Sequence, residues 1–122
     1  MKKRIVNVWM VLALVAMVFA SCNERLKIVY PAGSSDQEVL AAKEVRRYIY
    51  LRTGELLPLK EVTSMPSGDV IVISEESDPL VAEVCDEEAP EGGFFIKSEE
   101  NNNRNVLIIS GNDDKSTLFA SY

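Results

Sequence analysis

The chain has 122 residues, enough for one domain with a modest core, and its 13 Lys and Arg against 19 Asp and Glu give a net charge of −6. It contains no histidine, which excludes Ser–His and Cys–His nucleophile pairs and removes the commonest general base and most zinc chemistry. All 19 acids but only ten of the 13 basic residues lie beyond Cys22, so that part carries a charge near −9 and has no footprint for nucleic acid or an anionic membrane surface.

Residues 1–21 read as a secretory signal. Lys2, Lys3 and Arg4 precede the apolar run Ile5–Ala20, which is too short to span a bilayer comfortably. Phe19-Ala20-Ser21-Cys22 places two small residues before a cysteine and resembles the bacterial lipobox, in which the signal is cut before a lipid-modified thiol. Cys22 is therefore the expected lipid-attachment site and residues 22–25 its tether. The expected address is the bacterial cell envelope, with the membrane as a partner through that lipid. Cys85 then has no intrachain partner and reads as a small buried hydrophobe. An unmodified Cys22 would instead make a Cys22–Cys85 disulfide the rival reading.

Residues 26–122 form the folded domain. Leu26–Tyr30 alternates as a first strand and closes at Pro31, Gly33, Ser34 and Ser35. Ser35 to Gly54 has the marks of an amphipathic helix. Ser35 and Glu38 match a capping box, Ala41, Ala42, Val45, Tyr48 and Ile49 form an apolar stripe, and Gly54 suits a left-handed stop. Leu57–Val62 is a short second strand, placed at an edge by Pro58. Asp69–Ser74 (DVIVIS) has the continuous β-branched run of a central strand covered on both faces. Asp78–Glu88 opens with Pro79 in the first-turn position of a short helix. Phe94–Ser98 and Val106–Ser110 are strands joined through Glu99–Asn105, rich in residues that accept positive φ. In Gly111–Tyr122, Asn112 or Asp113 caps a last helix whose Leu118, Phe119 and Tyr122 are expected to point to the core. That helix has barely begun at Tyr122, and the domain reads as the front piece of something longer. This order implies an α+β or α/β sandwich, a mixed β-sheet with helices packed on one face, and α+β is the expected class.

Candidate chemistry is sparse. The acidic clusters Glu75-Glu76-Ser77-Asp78, Asp86-Glu87-Glu88, Glu91, Glu99-Glu100 and Asp113-Asp114 fall in loops or helix starts and read as solvated faces and caps. A glycosidase pair requires two carboxylates facing each other across a bond, one of them with its pKa raised by burial. No calcium-loop spacing is present, and neither a metal nor a cofactor is expected. Glu91-Gly92-Gly93 and Ser110-Gly111-Asn112 are turn signals and not a phosphate cradle. Most of the aromatics fall on apolar stripes and read as core, with Tyr30 and Tyr50 left as candidates for exposure.

Leu40–Leu59 (LAAKEVRRYIYLRTGELLPL) resembles the A-A-x-E-L-x-x-Y-L-x-x-x-T-G-x-x-L-P helix and strand of the small domain that precedes the barrel in several glycoside hydrolases, bacterial β-hexosaminidases and α-glucuronidases among them. DVIVIS falls where those domains have an I-x-I-G strand. Glu91–Tyr122 resembles their closing E-G-Y-x-I … L-x-I-x-G-x-D-x-R-G-T-x-Y-G-x-Y, with Ser116 and Ala120 in place of glycines and Phe119 in place of a tyrosine. The resemblance spans Leu26 to Tyr122. It implies an α+β sandwich like the second domain of β-hexosaminidases, supporting a catalytic barrel without being an enzyme itself, since the catalytic acids of those enzymes lie in the barrel. Leu118, Phe119 and Tyr122 would then form the seam to the barrel, the implied partner. The other reading is an independent envelope lipoprotein module that binds a glycan or a protein.

Overall fold

The computed structural model describes residues 25–101 and 103–122. The signal segment 1–21 and the attachment residue Cys22 lie outside the described residues. Within the described residues five strands and three helices follow one another as β1 (Lys27–Pro31), α1 (Asp36–Thr53), β2 (Leu59–Val62), β3 (Val70–Glu75), α2 (Pro79–Val84), β4 (Phe94–Asn101), β5 (Arg104–Gly111) and α3 (Asp114–Ala120). They build one mixed sheet in the order β2-β1-β3-β5-β4. All neighbouring strands are parallel except β4, which runs antiparallel to β5. The fold is α+β, and β2 is an edge strand, as Pro58 just before it foretells.

α1 forms where its end signals place it. The Glu38 N–H donates to Ser35 Oγ and the Ser35 N–H donates to Glu38 Oε1, both at 3.2 Å, completing the capping box. Gly54, at φ 74°, donates its N–H to the Tyr50 carbonyl at 2.8 Å and ends the helix. Ala41, Ala42 and Val45 lie on the sheet, and Ile49 packs beside them. Tyr48 departs from the expected stripe. It lies on the flank of that stripe, 41% exposed, while Glu38 is buried nearer its centre.

β3 supplies both sides of the core by simple alternation. Ile71 and Ile73 join Ile28, Ile109 and the α1 alanines on one face. Val70 and Val72 join Val29, Val106, Ile108 and Val81 on the other. The two longer helices share the first face, and α2, with Cys85 just past its end, covers part of the second. Asp78 caps α2 by accepting the Leu80 N–H at 2.9 Å, with Pro79 in the first turn as expected.

The β4–β5 connection is tighter than the expected Glu99–Asn105 loop. Pairing continues through Glu100↔Asn105 to Asn101↔Arg104. Asn103 takes φ 62°, the left-handed conformation that asparagine tolerates, so a short turn suffices and both strands run to eight residues.

The last helix corrects a second expectation. Asp113 is its cap, accepting the Ser116 N–H at 2.7 Å, and this bond holds the Asp113 carboxyl below its ordinary range. Only Leu118 of the three residues expected in the core packs against it. Phe119 and Tyr122 face outward, 58% and 68% exposed. The inward face is made of Ser116, Thr117 and Ala120. Proximity explains the choice. A Cβ on Gly111 would lie 2.3 Å from the Thr117 nitrogen, so α3 rests on the bare end of β5 and only small residues fit between them.

Candidate functional site on the helical face

α1 and α3 run side by side in the same direction, and where their later turns meet they produce an aromatic surface. Tyr48 and Tyr122 meet edge to face with ring centroids 6.5 Å apart, and Phe119 lies one turn back from Tyr122 on α3. The Arg47 guanidinium sits 4.8 Å from the centre of the Tyr48 ring. Arg47 is held there by Glu44 at 2.9 Å, and this partner raises the Arg47 pKa above its ordinary value. The rings are crossed and not coplanar, so the surface offers a ridge for packing and not a flat platform for a stacked ring.

α3 is pinned beneath this ridge. Gly111 donates its N–H to Thr117 Oγ1 at 3.1 Å, and that hydroxyl donates to the Asp113 carbonyl at 2.8 Å. Of the expected seam residues, the structure brings Phe119 and Tyr122 to the surface and turns Leu118 inward. Tyr48 belongs to the surface, against the expectation that it packs in the core. The signal that could have found it is its position on the flank of the stripe, where an amphipathic ring reaches solvent. Tyr50 and Phe94 are also exposed, whereas Tyr30 and Phe95 pack against the two cores.

A concavity of about 400 Å³ opens at the carboxyl ends of β1 and β3, the crevice that open α/β sheets favour for ligands. Ser34, Ser35, Glu38, Ser74, Glu75 and Asp78 line it. Their polar atoms are largely engaged in local structure. Ser34 Oγ donates to the Pro31 carbonyl at 2.6 Å, and Ser35, Glu38 and Asp78 serve as caps. Burial raises the Glu75 pKa, and the nearby charges of Glu38, Asp114 and Asp113 add to the rise. Ser74 pairs in register with Ser110 on the next strand, both fully buried.

The acids are not uniformly solvated. Glu76 is partly buried and ties the loop before β4 to the end of β5, accepting from Asn112 Nδ2 at 3.0 Å and from the Ala89 N–H. Lys97 pairs with Glu99 at 2.9 Å and Glu87 at 3.3 Å, which raises the Lys97 pKa. Cys85 is a free buried thiol accepting the Glu87 N–H at 3.4 Å, in keeping with its reading as a small hydrophobe. Among the described residues no group of three or more His, Cys, Asp or Glu is placed to hold a metal ion.

No family model and no curated protein matches this chain. The crevice gathers carboxylates and hydroxyls that are mostly spent on caps and turns, without a histidine or a facing cation among the lining residues. The ridge, in contrast, exposes three aromatic rings on a rigid support.

Proposed function

We propose that this chain is a non-catalytic accessory domain of a carbohydrate-active enzyme, lipid-anchored through Cys22, and that it supports a glycoside hydrolase barrel. The observation that carries this reading is the outward ridge that Tyr48 of α1 forms with Phe119 and Tyr122 at the end of α3, a helix clamped to the sheet. Exposed aromatic rings with fixed rotamers and a small entropy loss are the side chains that anchor protein interfaces. The resemblance of Leu40–Leu59 and Glu91–Tyr122 to the domains that precede such barrels supports it, because that closing helix meets the barrel. The lipobox-like Phe19–Cys22 supports the envelope address.

Two experiments test the reading. The purified chain is expected to show no turnover of aryl-glycosides, and turnover at an ordinary enzyme rate would overturn it. Calorimetry against the isolated barrel of a β-hexosaminidase or an α-glucuronidase is expected to give binding that Phe119→Ala with Tyr122→Ala abolishes while the circular dichroism spectrum is unchanged. Heat with a glycan panel and none with either barrel would favour the independent binding module instead.

A further inference from the structure

The parallel topology sorts the charge of this acidic domain from end to end. β1, β2, β3 and β5 all start at one end of the sheet, and α1, α2 and α3 all start at the other. Helix starts attract carboxylates. Asp36, Glu38, Glu75, Asp78, Asp113 and Asp114 accordingly collect at the helix-start end, beside Lys115. The strand-start end carries Arg25, Lys27 (its Nζ donating to the Ser67 carbonyl), Arg52 and Lys60 beside Glu55 and Asp69, with Glu99, Glu100 and Arg104 at the β4–β5 turn. The hairpin with its Glu100 lies at the far edge of the sheet, three strands from β1.

The same end exposes aliphatic surface. Leu51 in the last turn of α1 and Leu56 just before β2 are 64% and 61% exposed, and Leu26 at the entry to β1 is also open. Leucines interleaved with arginine and lysine are the composition of surfaces that rest on anionic headgroups, with the long cationic side chains reaching outward.

Tether length decides the sidedness. From Cys22 to Lys27 the chain spans five residues, at most about 18 Å fully extended. α1 is 18 residues long and runs back along the sheet, which separates the two ends by about 27 Å. A lipid on Cys22 therefore holds the strand-start end near the bilayer, and the tether is too short to lay the acidic end upon it.

We propose that Arg25, Leu26, Lys27, Leu51, Arg52 and Leu56 rest on the anionic headgroups of the bilayer that carries the Cys22 lipid, with the acidic helix-start end turned away. The proposal rests on the lipid-anchor reading and refines it: the charge near −9 describes the domain as a whole and not the end that meets the membrane. On this geometry the Tyr48–Phe119–Tyr122 ridge stands on the side of the domain, free for a barrel while the anchor is engaged.

The test uses the full chain, expressed with its own signal and reconstituted into phosphatidylcholine vesicles with or without phosphatidylglycerol. An environment-sensitive fluorophore is placed on Leu26→Cys, Leu56→Cys or Ser77→Cys in a Cys85→Ala background. The labels at 26 and 56 are expected to shift to the blue and to be quenched by headgroup-level nitroxide lipid. The label at 77 is expected to do neither. Omitting phosphatidylglycerol, or introducing Lys27→Glu with Arg52→Glu, is expected to diminish the quenching. Flotation reports the anchor separately. A chain that fails to float with the vesicles overturns the anchor and the proposal with it. A chain that floats with silent labels at 26 and 56, or with equal quenching at 77, overturns the orientation alone.

Discussion

Gly111→Ala is expected to be among the most damaging single-methyl changes in this domain. The added Cβ would lie 2.3 Å from the Thr117 nitrogen, 2.6 Å from the Ser116 carbonyl carbon and 2.8 Å from Thr117 Oγ1. Carbon contacts settle near 3.5 Å, so α3 must retreat by about 1 Å, and two of the three obstacles are backbone that no rotamer can relieve. Overpacking of this kind costs about 1–3 kcal/mol. The retreat also stretches the Gly111 N–H bond to Thr117 Oγ1, now 3.1 Å, at a further cost of about 1 kcal/mol. A total of about 2–4 kcal/mol is a large share of the stability of a small domain. Gly33→Ala is the control. Its Cβ meets nothing within 4 Å, and only its φ of 83° resists the change, at about 1–2 kcal/mol. Urea unfolding followed by circular dichroism would rank the two, and tyrosine fluorescence would report whether Tyr122 has moved from Tyr48. A midpoint for Gly111→Ala no lower than that of Gly33→Ala would refute the close packing of α3 on β5.

Three further perturbations probe the same supports. Thr117→Val keeps the shape of a fully buried side chain but leaves the Gly111 N–H without its acceptor, and urea unfolding is expected to show a loss of about 1–3 kcal/mol, largely restored by Thr117→Ser. Ser35→Ala removes the acceptor of the Glu38 N–H at the head of α1 and is expected to lower stability by about 1 kcal/mol, read as a drop in melting temperature without loss of the α1 signal. Glu75 holds its proton more tightly folded than unfolded, so between the ordinary glutamate value and its raised folded value stability falls as pH rises. Glu75→Gln is therefore expected to raise the urea midpoint at neutral pH and leave it little changed in acid, and a lower neutral midpoint would contradict the crowding of Glu75 by Glu38 and Asp114. Asp113 has the opposite sign, its contribution being present above the ordinary aspartate value and lost as pH falls through the lowered folded one.

What the residues alone determined was local. The capping box of Ser35 and Glu38, the glycine stop at 54, Pro79 at the head of its helix and the alternating VIVI of β3 act over four or five positions. They placed α1, α2 and β3, and with the strand patterns of the other segments the α+β class of the described residues. Tertiary structure decided which faces turn inward. Side-chain apolarity pointed Phe119 and Tyr122 to the core, yet the bare end of β5 admits a helix only through its smallest face, and that closeness is a contact between chain segments that no window of sequence contains. The distribution of charge was decided in the same way. Composition gives one number for the domain, whereas the parallel strands β1, β3 and β5 send the starts of α1, α2 and α3, and the acids that cap them, to one end and leave Arg25, Lys27 and Arg52 at the other.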